Sequence, residues 1–268
     1  MTAASPVEPS GWKLRLRALM LRAADVRRIH IVGCARSGTT MLHYSMIAFA
    51  DTTLIDEEVS VLWAPALRDT AALVTDRLTG GPSVLVTKRE YGWFEPRQLD
   101  RLIGCTRRER IGVIYIVRDP RDVLTSRHAR DPSRRFYVEP ERWQASVRAG
   151  DDLFAQLDSY PHKLTLKYED VVTDPATAET ALASTFGLSL RPGIASIGRL
   201  KDNLEKLEAS TRMAAFMQNI RNFDPTTIGR WKRNPEQVAY LEKLLTDSPI
   251  AEELDRFMER YGYRSEEG

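Results

Sequence analysis

The chain has 268 residues, 43% apolar and 28% charged, enough to bury one large core or at most two modest ones. Lysine and arginine number 39 against 37 aspartate and glutamate, so the net charge of +2 gives no basis for a nucleic-acid partner, and any preference for anions must be local. Two cysteines, Cys34 and Cys105, are too few for a disulfide framework or a zinc site and point to a reducing, cytoplasmic setting.

In chain order, Trp12 to Leu21 is apolar but interrupted by Lys13, Arg15 and Arg17, and no run is long enough to export or span a membrane. It reads as a basic amphipathic helix that packs on its own domain, with peripheral contact to anionic lipid through 12–28 as the alternative. Ile29 to Val32 reads as a strand, followed by a Gly/Ser/Thr turn and a helix over Met41 to Phe49. Ser83 to Val86, Ile111 to Val117 and Lys163 to Tyr168 read as further strands. Val59 to Leu78 and Pro96 to Ile103 are crossover helices, and a long helix begins near Pro140. Asp174 with Pro175 opens a helix that Gly187 closes, Asn234 with Pro235 opens another, and Ser248 with Pro249 opens the last. Ser189 to Lys201 reads as an irregular loop. The alternation is that of an α/β protein with a parallel sheet.

Gly33-Cys34-Ala35-Arg36-Ser37-Gly38-Thr39-Thr40 places two glycines five apart directly between a strand and a helix. In that context backbone amides converge on an oxyanion, and the glycines permit close approach and positive φ. A nucleoside-triphosphate loop of this spacing carries lysine right after the second glycine; here that residue is Thr39, and the only cation in the turn is Arg36. Triphosphate chemistry is thereby disfavoured.

The segment Val113 to His128 holds a second anion position. A strand ends at Arg118, Pro120 suits a first helical turn, and Ser126 and Arg130 are expected one turn apart on one helical face. Arg118 with that hydroxyl and guanidinium makes a pocket beside the first. Asp119, Arg121 and Asp122 read as ordinary surface ion pairs. Two anion pockets imply a donor with two separate phosphates.

These residues resemble the sulfotransferases that use 3′-phosphoadenosine 5′-phosphosulfate (PAPS). Arg36-Ser37-Gly38-Thr39-Thr40 looks like the family's 5′-phosphosulfate loop, and Arg118 with Ser126, eight residues apart, looks like its 3′-phosphate motif. Leu164 to Asp170 with Asp174-Pro175 is similar to a strand-and-turn segment of the family. Gly229-Arg230-Trp231-Lys232 resembles its late nucleotide-contacting loop. The resemblance implies a three-layer, P-loop-like fold with a central parallel sheet flanked by helices and a helical carboxyl-terminal part. It is read as one domain over 1–268: a basic amphipathic segment at 1–27, a nucleotide-binding α/β core at 28–170, and a mainly helical part at 171–268.

The implied reaction is transfer of a sulfuryl group from PAPS to a hydroxyl or amine of a carbohydrate, lipid or small-molecule acceptor, leaving adenosine 3′,5′-bisphosphate, with no metal. The resemblance gives Arg36, Thr40 and Lys88 to the transferring group and leaving phosphate, and Tyr168 with Gly229, Arg230 and Trp231 to the nucleotide. Members acting on phenols and steroids carry a histidine just after the strand of Lys88, but this chain has Thr87-Lys88-Arg89-Glu90 there. It is closer to the carbohydrate, protein-tyrosine and bacterial type, in which a carboxylate is the base at a spacing from the loop arginine that Glu57 matches. Glu57 is therefore the first choice of base, Glu58 the second and Glu90 the third, although Asp56-Glu57-Glu58 would also suit the start of a helix near Val59.

His30 reads as core, His43 and His128 as helical residues near the anion positions, and His162 as a turn residue. No histidine has metal-ligand spacing. The competing functions are a nucleotide or small-molecule kinase and a catalytically silent nucleotide-binding module.

Overall fold

Five parallel strands form one sheet in the order β2-β3-β1-β4-β5, in a computed structural model that describes residues 11–54, 67–90, 96–127, 134–206 and 221–264. The strands are β1 (Arg27–Gly33), β2 (Thr52–Leu54), β3 (Val84–Glu90), β4 (Gly112–Val117) and β5 (Lys163–Lys167). Their side chains alternate between two faces, as a pleated sheet buried on both sides requires. Val32, Val113, Tyr115 and Val117 join one core cluster, while Ile29, Ile31, Ile114 and Ile116 join the other.

The first of these clusters is completed by α4 (Pro96–Glu109), α6 (Pro140–Gln156), α10 (Pro235–Asp247) and α11 (Ala251–Arg260), through residues such as Leu102, Trp143, Leu241 and Phe257. The second is closed by α2 (Thr39–Ser45), α7 (Tyr168–Thr173) and α8 (Pro175–Phe186), through Leu42, Val171 and Leu182. The result is three layers, helix on sheet on helix, as the strand and helix alternation predicts. Two further helices, α1 (Gly11–Ala23) and α3 (Leu67–Leu78), pack on each other, and Leu21, Ala24 and Val26 meet Leu73, Val74 and Leu85. The expected packing of the amino-terminal helix on its own domain is thus found.

Local chemistry explains where helices begin and end. Asp174 caps α8 by accepting from Thr177 N at 3.2 Å, and Gly187, at φ 61°, ends it. Asn234 caps α10 by accepting from Glu236 N at 3.0 Å. Of the stretch expected to be irregular, Ser189 to Lys201, the last two residues instead begin a short helix α9 (Leu200–Lys206), and the rest is pinned by Arg191, which donates to Ile47 O at 2.8 Å and Thr52 O at 3.2 Å.

Three readings need correction. Tyr168 does not end β5 but starts α7. Strand β3 continues four residues past Val86, because Thr87 to Glu90 stay paired with His30 to Gly33 of β1. Helix α5 (Pro120–Leu124) ends two residues before Ser126, so Ser126 lies outside the helix, while position 130 lies outside the described residues. Thr125 Oγ1 donates to Arg121 O at 2.6 Å and Ser126 Oγ to Asp122 O at 3.1 Å, so both hydroxyls turn back onto carbonyls at the helix end.

Candidate functional site

Four residues expected near the anion positions lie at the carboxyl ends of strands. Gly33 ends β1, Lys88 lies near the end of β3, Arg118 follows β4 and Tyr168 follows β5. These are neighbouring strands, so the four converge on the crevice where open parallel sheets bind ligands.

Two glycines shape the turn after β1. A Cβ on Gly33 would lie 2.5 Å from Ile116 O, and one on Gly38 would lie 2.6 Å from the Tyr168 ring. Gly38 also has φ 99°, and Arg36 has φ 69°, so left-handed residues flank Ser37. Ser37 is tied inward, its hydroxyl donating to Cys34 O at 2.6 Å. Gly38 precedes α2 with no side-chain cap, leaving the cradle to backbone amides. Thr39 is buried, whereas Arg36 and Thr40 are exposed at the mouth. Arg36 lies over the Tyr137 ring at 5.6 Å, a contact that nothing in the spacing indicated.

Tyr168 joins the two anion positions. Its ring packs against Gly38, the Arg118 guanidinium lies 4.1 Å above it, and its hydroxyl is 2.8 Å from Thr227 Oγ1. Arg118 donates to Arg36 O at 3.1 Å and Thr227 O at 3.2 Å. Its Nε is buried with no acceptor among the described residues.

Asp122 is not a surface residue, as its sequence context suggested, but 5% exposed. Its carboxylate accepts from the backbone N–H of Gly229 at 2.8 Å and of Arg230 at 3.1 Å. Burial pushes its pKa up, opposed by Arg118 and these two amides. Asp119 is likewise buried and receives Arg121 in a two-pronged ion pair, while Arg121 also lies over the Trp231 ring at 4.9 Å. The amides of Gly229 and Arg230 are therefore occupied, and what this loop can offer a ligand is the Trp231 ring and the Arg230 side chain, which is exposed and bonded to Thr226 O at 3.3 Å.

Lys88 is 6% exposed, and no carboxylate among the described residues pairs with it. It shares its sheet face with Val86, whose carbonyl lies 3.2 Å from His43 Nε2. A carbonyl only accepts, so Nε2 carries the proton and Nδ1 is a bare lone pair, with no partner among the described residues. Burial holds His43 down to about 4; the Val86 hydrogen bond pulls the other way and the Lys88 charge adds to the lowering. This neutral imidazole beside a buried ammonium was not legible in the spacing.

Of the remaining candidates, Glu57, Glu58, Arg130 and His128 lie outside the described residues. Glu90 occupies the register position opposite Gly33, at the start of the turn. No group of three or more metal-ligating side chains is found among the described residues.

No family model matches the sequence, and no curated protein matches it either. Among solved structures, a mouse sulfotransferase complexed with PAP superposes with a TM-score of 0.51 at 14% identity, over 89% of this chain and 94% of its own. The chain has the sulfotransferase fold. The sulfotransferase domain from the curacin biosynthetic pathway gives a TM-score of 0.50 at 16% identity, over 84% of this chain and 99% of its own. At these identities the likeness is one of backbone course, and the sulfotransferase fold assigns no role to an individual side chain.

Proposed function

We propose that this chain, acting as one domain, is a sulfotransferase that moves a sulfuryl group from PAPS to a hydroxyl or amine of a carbohydrate, lipid or small-molecule acceptor. The observation that carries the reading is Lys88, a buried cation with no counter-charge among the described residues, beside a glycine turn that lacks the triphosphate lysine. A buried unpaired charge is costly, and an anionic ligand relieves it. PAP bound to the mouse neighbour supports the same donor.

The residues present fit such a donor at both ends. Arg36, Ser37, Gly38, Thr39 and Thr40 would hold its 5′ end, with Lys88 on the transferring group. Arg118, whose Nε is a spare donor, would hold the 3′-phosphate with Ser126 and Arg130. Tyr168, Arg230 and Trp231 would flank the nucleotide, and Gly229 would set the turn that carries the last two.

In the transfer step the acceptor oxygen or nitrogen bonds to sulfur as the bond from sulfur to the leaving 5′-phosphate oxygen breaks. Arg36, Lys88 and the turn amides offset charge on the leaving phosphate, and a carboxylate, Glu57 before Glu58 or Glu90, takes the acceptor's proton. The test is transfer of label from sulfur-labelled PAPS across sugar, lipid, phenol and amine acceptors. Label on a sugar, lipid or amine supports the proposal. Label only on phenols would overturn the acceptor assignment, and tight bisphosphate binding without transfer would favour a silent module.

A further inference from the structure

We propose that the end of the molecule opposite the glycine turn is a docking surface for an anionic lipid bilayer, built from α1 and the arginines beside it. The buried side of α1 is accounted for by Leu21, which is 1% exposed and packs with α3 and β3 residues. Another side is not buried: Trp12 and Leu19 are each 63% exposed and Leu16 is 38% exposed. Steps of four and three residues set these side chains on one helical face. The other exposed large hydrophobic among the described residues, Leu78, ends α3, the helix that packs on α1.

Arginines accompany this face. Arg15 and Arg22 are exposed on the same helix. Beside Leu19 opens a hollow of about 940 Å³ whose walls include Arg15, Arg22, Arg27, Arg110 and Phe186. Two acids also line it, but Glu109 pairs with Arg28 and Arg108, and Asp25 faces Arg77 at 3.8 Å. Neither acid pairs with Arg15, Arg22 or Arg110.

Charge selects the occupant. A second copy docking face to face would bring these arginines against their equivalents. A nucleic acid would suit the arginines but not a row of exposed Trp12, Leu16 and Leu19. An anionic bilayer suits both, taking the apolar row into its interfacial layer and offering headgroup phosphates to the arginines and the hollow. The orientation is also workable. The hollow lies at the amino ends of β1, β3 and β4, around Arg27, Val84 and Gly112, whereas the glycine turn, Lys88 and Arg118 lie at the carboxyl ends. Docking would hold the protein at a surface without covering the site.

The test is flotation of the full chain with phosphatidylcholine vesicles, with and without phosphatidylserine. Flotation should require phosphatidylserine and weaken with added salt. The pair Leu16→Asp with Leu19→Asp and the pair Arg15→Gln with Arg22→Gln should each cut vesicle partitioning by about tenfold or more at unchanged melting temperature. If the aspartates lower the melting temperature, Leu16→Ser with Leu19→Ser replaces them. Three results would overturn the proposal: no phosphatidylserine-dependent flotation, flotation unaffected by either pair, or a dimer in solution that both pairs dissolve without vesicle binding.

Discussion

The Asp122 oxygen that lies 3.8 Å from Arg118 Nη2 also receives the backbone N–H of Gly229 at 2.8 Å. One carboxylate therefore fixes the proposed 3′-phosphate arginine relative to the loop that carries Arg230 and Trp231. Removing it takes the carboxylate from a part-buried guanidinium and the acceptor from two part-buried amides together. Asp122→Ala should lower stability by about 2 kcal/mol and weaken adenosine 3′,5′-bisphosphate binding about tenfold, with Asp122→Asn between it and the parent. Calorimetric titration and melting curves read both, and unchanged bisphosphate affinity in Asp122→Ala would remove Asp122 as a positioning residue.

Lys88→Met keeps most of the length of the side chain and discards a buried charge that pairs with no carboxylate among the described residues. The ligand-free protein should gain about 1 kcal/mol, while sulfuryl transfer falls about a hundredfold. A lower melting temperature with normal turnover would mark Lys88 as a structural residue with no part in transfer.

His43 makes stability depend on pH in one direction. The unfolded imidazole takes up a proton below its usual 6.5, but the folded one refuses it until about 4. The unfolded state thus binds more protons in that window, so His43 costs stability as pH falls from 6.5 to 4, by about 3 kcal/mol at the lower end, and no more below it. Melting curves across this range should fall less steeply for His43→Gln than for the parent. Parallel curves would mean that His43 is protonated in the folded protein or contacts solvent.

Glu57→Gln should leave bisphosphate binding intact and reduce transfer by about a hundredfold or more. Near-normal turnover would pass the role of base to Glu58 or Glu90.

What could be read from the sequence was what local chemistry decides. The β-branched runs at Ile29 and Ile111, the Asp174 and Asn234 caps and the glycine turn all sit where their residue types place them. Less legible were features set by distant partners. Strand β2 is only three residues at the sheet edge, held by pairing with Val84 to Val86. Asp122 looks like a surface acid until Gly229, more than a hundred residues away in sequence, is brought onto it. Tyr137 beneath Arg36 and His43 beside Lys88 also depend on folding, since no spacing rule relates their positions. Helix α5 stopped early because Thr125 and Ser126 bond backward, a competition that composition alone does not decide.

The most direct measurement of the central claim is a thermal-shift titration of the protein with adenosine 3′,5′-bisphosphate and, separately, with ATP. Two anion positions linked through Tyr168, without a triphosphate lysine, predict that the bisphosphate raises the melting temperature strongly and ATP hardly at all. A rise with ATP and none with the bisphosphate would contradict the account.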